Sequence, residues 1–162
     1  MSVDIVSYRL QNQHLSSNKL DRAAEVVRRL GAVQSQDFSG GKWAIGLRTD
    51  GVMDPHVQRA FDEGAILRTH VMRPTWHFVA PQDIRWLLAL TSPRVHAAND
   101  SMYRALGLTA SVFAGANKVM ARALGGGRYL TRDELRNELQ SLFEQQVFNR
   151  GKLSFERHFP VA

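Results

Sequence analysis

Apolar positions recur at helical spacing between Leu20 and Leu30, where Leu20, Ala23, Ala24, Val27 and Leu30 share one face. That pattern predicts a helix from about Asp21 to Leu30, stopped by Gly31, which takes a left-handed conformation at little cost. Ahead of it, Asp4 to Gln13 reads as a short helix that offers Ile5, Val6 and Leu10 for packing. The polar Ser16 to Lys19 stretch then supplies a turn and a cap. Behind it, Lys42 to Arg48 is helical if Trp43, Ile45 and Leu47 can pack. Asp54 and Pro55 open a further helix, as an N-cap acid followed by proline, running to about Glu63 and Gly64.

The period then changes. Ile66 to Met72 and Thr75 to Val79 are rich in β-branched and aromatic residues and flank Arg73 and Pro74, a hairpin signal. This hairpin at 66–79 is expected to be the only substantial β structure. Helices followed by one hairpin make the order of a winged helix-turn-helix, with the hairpin as the wing.

Beyond it the pattern is helical again. Pro81 to Leu90 reads as an amphipathic helix ended by Ser92 and Pro93, because proline removes a backbone donor and clashes with the preceding turn. Arg94 to Leu106 and Thr109 to Leu124 read as two more helices separated by Gly107. Gly125 to Gly127 marks a boundary. Thr131 and Glu134 then form a capping box that opens a helix to about Phe143. Glu144 to Ala162 has no clear period and is expected to be poorly ordered. The fold class expected is mainly α: a winged helix-turn-helix with one β-hairpin over 1–92, a helical extension over 93–127 and an incomplete second winged-helix unit over 128–162.

Charge sharpens this picture. The 162 residues carry a net +6 at pH 7, and Ala65 to Arg128 alone accounts for that excess. Eight basic residues lie there (Arg68, Arg73, Arg85, Arg94, Arg104, Lys118, Arg122, Arg128) against Asp83 and Asp100, so 8 − 2 = +6. An Arg-dominated excess in one segment is the footprint of a phosphate-backbone binder, the bland alternative being a solvated basic face. The 44% hydrophobic content suits a globular protein, and the absence of cysteine excludes disulfides and thiolate metal sites. No apolar run approaches the ~20 residues of a membrane span, and no secretory pattern opens the chain. A cytoplasmic, nucleoid-associated protein with no membrane partner is expected.

The candidate chemistry sits at the exit of the Asp21–Leu30 helix. Gln34 and Gln36 stand two apart, a spacing that points both amides to one side of an extended segment. Each amide both donates and accepts hydrogen bonds and can hold a water, a sugar oxygen or a base edge. Solvent-facing glutamines at a helix exit are the plain alternative. Asp37 follows, either as a base or charge or as the cap of the next helix. Gly40 and Gly41 would let backbone N–H groups approach a phosphate, or are simply a flexible turn. His70 and His77 lie on opposite arms of the hairpin, but the sequence supplies no further ligands for a zinc site. Neither a metal nor another cofactor is implied.

The blocks Val26 to Asp37, Trp43 to Arg48 and Leu67 to Val79 together resemble the AlkZ/YcaQ-type winged-helix DNA glycosylases, in that family's order and spacing. The resemblance runs from about Tyr8 to Leu139. It covers the first winged-helix unit, the linking helices and the opening of a second unit, so the chain reads as truncated relative to a longer clamp. Whether it is a full-length product, a fragment or a decayed copy stays open.

The resemblance implies double-stranded DNA as partner and excision of alkylated or crosslinked purines by hydrolysis of the N-glycosidic bond. It places the family's Gln-x-Gln motif on Gln34 and Gln36, with Asp37 beside it. Lys42, Arg48, Arg68, His70, Arg73, Trp76 and His77 are the candidate DNA-binding residues. A partner chain at the second unit, and a non-catalytic winged-helix DNA-binding or regulatory role, are the alternatives.

Overall fold

The computed structural model describes residues 4–72 and 75–150. Its elements in chain order are α1 (Ile5–Asn12), α2 (Ala23–Leu30), β1 (Ala32–Gln34), α3 (Phe38–Gly46), α4 (Asp54–Asp62), β2 (Leu67–His70), β3 (Trp76–Val79), α5 (Ile84–Ala105), α6 (Ala110–Ala123) and α7 (Arg132–Arg150). The described architecture is therefore mainly helical, and the chain divides into two compact units, Met1–Ala97 and Ala98–Ala162.

The first unit is built around a three-stranded antiparallel sheet of order β1-β3-β2. The hairpin expected at 66–79 is present as β2 and β3, but it is not the only β structure. Val33 pairs with Phe78 and Gln34 with His77, so the stretch after α2 adds a third strand. Three residues are too few to show a period, which is why the sequence gives no strand signal there. The two faces of this sheet bury different clusters. Val33 and Phe78 pack with Val26, Val27, Ile45, Val57 and Ile66 from the helical side. Val79 packs with Val71 and Leu87, joined by Ala32, Leu67 and Ile84. The sheet is covered on both faces, and its central strand is correspondingly apolar.

Several local expectations shift. α3 starts at Phe38 rather than Lys42, because Asp37 caps it by accepting from the Gly40 N–H at 2.9 Å. In α3 Ile45 is buried, whereas Trp43 and Leu47 are exposed. Arg22, not the Ser16–Lys19 stretch, stands at the N-cap of α2 and makes no side-chain cap bond. Met53 rather than Asp54 is the N-cap of α4; its N–H donates to His56 Nδ1 at 3.0 Å, and Asp54 and Pro55 sit inside the first turn. α1 is capped by Asp4, which accepts from the Ser7 N–H at 3.1 Å, yet Ile5, Val6 and Leu10 are exposed rather than packed.

The largest correction concerns Pro93. It does not end a helix but lies inside α5, which runs unbroken from Ile84 to Ala105. Proline forfeits one i→i−4 bond at a cost of about 3 kcal/mol. The good helix formers Leu87 to Leu90 and Ala97 and Ala98 lie on either side of it, beyond the weaker Thr91, Ser92, Val95 and His96.

In the second unit Thr109 caps α6, whose Val112, Ala116 and Ala123 are buried. The capping box forms as expected. Glu134 N–H donates to Thr131 Oγ1 at 3.3 Å, and Thr131 N–H donates to Glu134 Oε2 at 2.6 Å. α7 continues past Phe143 to Arg150, so residues 144–150 are helical where no order was expected. Residues 151–162 lie outside the described residues.

Candidate functional site

The segment 34–38 turns from strand to helix, and its burial alternates. Gln34 and Gln36 are exposed, while Ser35 between them is buried to 1%. The alternation arises because Ser35 continues the inner face of β1, donating its N–H to the Trp76 carbonyl at 2.8 Å. Ser35 is small because α3 crosses it closely. A Cβ on Gly41 would stand 2.7 Å from the Ser35 Cβ and 2.9 Å from Phe78 Cε2, too close for either to be tolerated. Gly41 thus serves helix–sheet packing, and the two glutamines are left on the outer side.

The Gln36 amide is anchored. Its Oε1 accepts the Trp76 backbone N–H at 3.1 Å. A backbone N–H can only donate, so this bond fixes which end of the amide is the oxygen. The oxygen faces β3, and the NH2 group is left as the outward donor. Gln34, at the end of β1, sits directly opposite His77. His77 is buried and its Nδ1 lies 2.9 Å from the Thr75 carbonyl. A carbonyl can only accept, so Nδ1 carries the proton.

Arg68 reaches across from β2. Its Nε and Nη2 donate to the Ser35 carbonyl at 3.2 and 2.9 Å, and Nη2 also donates to the Gln36 carbonyl at 3.3 Å. The guanidinium lies over two rings, 5.3 Å from the Phe38 centroid and 4.7 Å from that of Trp76. Trp76 in turn meets His70 edge-on at 4.1 Å. Gln34, Gln36, Arg68, His70, Trp76 and His77 are thus gathered at one end of the sheet.

Other candidates are placed differently. Asp37 is the α3 cap, which realises the capping alternative and occupies its Oδ2. Lys42 is half-buried, bonded through Nζ to Asp54 at 2.9 Å and to Gln58 at 3.2 Å. Arg48 donates to the Ala44 carbonyl at 2.7 Å and to Gln13 Oε1 at 3.3 Å, tying α3 to the end of α1. Arg73 lies outside the described residues. Among the described residues no group of three or more His, Cys, Asp or Glu is placed to hold a metal ion. Nor is any helix among them long and apolar enough to cross a membrane.

Ser35 and Phe38 are participants that sequence reasoning missed. The available signal was the period-two alternation Gln34-Ser35-Gln36, which turns Ser35 inward if the glutamines face outward.

The profile of the AlkZ-like DNA glycosylases matches residues 27–155. An interstrand DNA cross-link repair glycosylase of Streptomyces sahachiroi is 30% identical over 131 residues, spanning 81% of this chain and 35% of that protein. The solved structure of the Streptomyces sahachiroi DNA glycosylase AlkZ is similar over 90% of this chain and 40% of its own, with a TM-score of 0.72 at 28% identity. The chain thus spans little more than a third of the length of these relatives.

Proposed function

The chain belongs to the AlkZ-like DNA glycosylase family, and we propose that it is a winged-helix protein that binds duplex DNA and excises alkylated or crosslinked purines. In this reading residues 1–92 are the DNA-reading unit, 93–127 link it onward, and 128–162 begin a second winged-helix unit. The observation that carries the catalytic part is the fixed amide of Gln36, beside an exposed Gln34.

The chemistry asks little of a base. A purine alkylated on a ring nitrogen carries a positive charge and leaves with the glycosidic electron pair, which neutralises it. Water then bonds to C1′ of the sugar cation and loses its proton to solvent. An amide has no accessible pKa near neutrality and does not remove that proton. It can hold the water. The outward NH2 of Gln36 donates to a water oxygen and leaves a second lone pair for attack. Gln34 supplies an amide oxygen for a water proton or for the developing positive charge. Asp37, committed to the α3 cap, contributes its charge from one residue away. At the hairpin, His70, Trp76 and Arg73 are the groups assigned to DNA.

The test is incubation with N7-methylguanine duplex DNA, followed by heat or alkali. Strand cleavage at the modified guanines is the expected result. Salt-sensitive duplex binding with no abasic sites would replace this reading with a non-catalytic winged-helix DNA-binding role.

A further inference from the structure

An arginine in a basic segment of a DNA-binding protein is ordinarily a phosphate contact. In Arg68 the Nε and Nη2 donors are already committed to backbone carbonyls, which leaves Nη1 as the donor without such a bond. Three of its hydrogen bonds end on the carbonyls of Ser35 and Gln36, within the glutamine segment itself. Its guanidinium also lies over two rings, those of Phe38 and Trp76. An extended guanidinium can chelate one carbonyl, reach a second and lie against two rings at once, whereas an ammonium is a point charge that does none of these together.

Arg68 also joins the two ends of the Gln36 anchor. It stacks on Trp76, whose backbone N–H holds the Gln36 side chain, and it bonds the Gln36 backbone carbonyl. We propose that Arg68 is the positioning residue of the Gln34–Gln36 segment, clamping its backbone so that the Gln36 NH2 points to the reacting sugar. This assignment rests on the catalytic reading of the glutamines. It differs from a phosphate contact in what substitution does: positioning fails when the fork is lost, even if the positive charge is kept.

The experiment compares Arg68→Lys, Arg68→Gln and Gln36→Ala in the 162-residue chain. It uses single-turnover excision of N7-methylguanine from a duplex and the affinity for undamaged duplex at several salt concentrations. Arg68→Lys is expected to slow excision about 10²-fold, the scale of a misplacement of ~1 Å, with undamaged-duplex affinity and its salt slope unchanged. Arg68→Gln should match it in rate. A phosphate contact would give the opposite result: a near-normal rate in Arg68→Lys, and in Arg68→Gln a weakened affinity with the salt slope reduced by about 1.

Amide exchange supplies a second readout that needs no turnover. Exchange of the Trp76 N–H should accelerate in Arg68→Lys while the exchange of the Val26, Val27 and Ile45 amides stays slow. Wild-type exchange at Trp76 would overturn the clamp, and so would failure of both Arg68 variants to fold, which would make Arg68 a pillar of the unit rather than of the site. If Gln36→Ala excises like wild type, the catalytic reading of the glutamines fails. If Gln36→Ala is slow and Arg68→Lys is not, only the positioning role fails.

Discussion

At the scale of single residues, the orientation of one amide decides what Gln36 can do. Because Oε1 is taken by the Trp76 N–H, Gln36→Ala removes both the anchor and the outward donor. Excision should fall about 10²-fold or more, the scale of losing one preorganised electrostatic contact, while undamaged-duplex binding barely changes. Gln36→Glu separates the two functions. A carboxylate can still accept from Trp76 but presents no outward N–H. Excision should therefore fall as far as in Gln36→Ala, while Trp76 amide exchange stays slow; near-normal excision by Gln36→Glu would show that the donor is not used. The glutamine pair was legible in the sequence, since its spacing alone brings both side chains outward. Its anchor was not, because Gln36 and Trp76 are 40 positions apart and no local pattern announces the contact. The same holds for Arg68. A charge count places it among phosphate binders, and only the sheet register, which sets Arg68 against Phe78, turns it toward Ser35.

At the scale of elements, two predictions test how the site is framed. Gly41→Ala would push a methyl group into Ser35 and Phe78, at 2.7 and 2.9 Å. Overpacking of this kind costs about 1–3 kcal/mol, read as a lowered midpoint in denaturant unfolding. A wild-type midpoint would mean that α3 does not lie this close to β1. The Thr131–Glu134 box sets the second. The Thr131 backbone and side-chain hydrogen bonds hold the Glu134 carboxyl below its ordinary value of 4.5. A lowered folded-state pKa stabilises fully above 4.5 and loses that contribution as pH falls from there through the folded value. Helical circular dichroism of the wild type should therefore decline on acidification below about 4.5, and Thr131→Ala should blunt the part due to this cap. Boxes of this kind are visible from sequence because cap and partner are three residues apart. The continuity of α5 was hidden for a related reason: Pro93 is a strong local signal against a helix, yet the helix runs through it.

At the scale of the whole molecule, the question is where the +6 excess of residues 65–128 is spent. Among its members, Arg68 is committed to the Ser35 and Gln36 carbonyls, and Arg104 is paired with Asp100. Arg85, Arg94, Lys118, Arg122 and Arg128 are exposed. A phosphate contact releases condensed counterions, so log affinity for duplex DNA should fall linearly with log salt, by about 0.9 for each phosphate neutralised. Arg85 and Arg94 lie exposed on α5 within the first unit. Replacing both with glutamine should reduce the slope by roughly 1 to 2 and weaken binding about equally for damaged and undamaged duplex, as phosphate contacts carry no lesion information. Arg68→Lys should leave the slope where it is. Fluorescence anisotropy of a labelled duplex, titrated across a salt series, measures all three proteins on one scale. A wild-type slope near zero would show that the basic segment is a solvated face, and an unchanged slope in the double variant would move the phosphate contacts off α5.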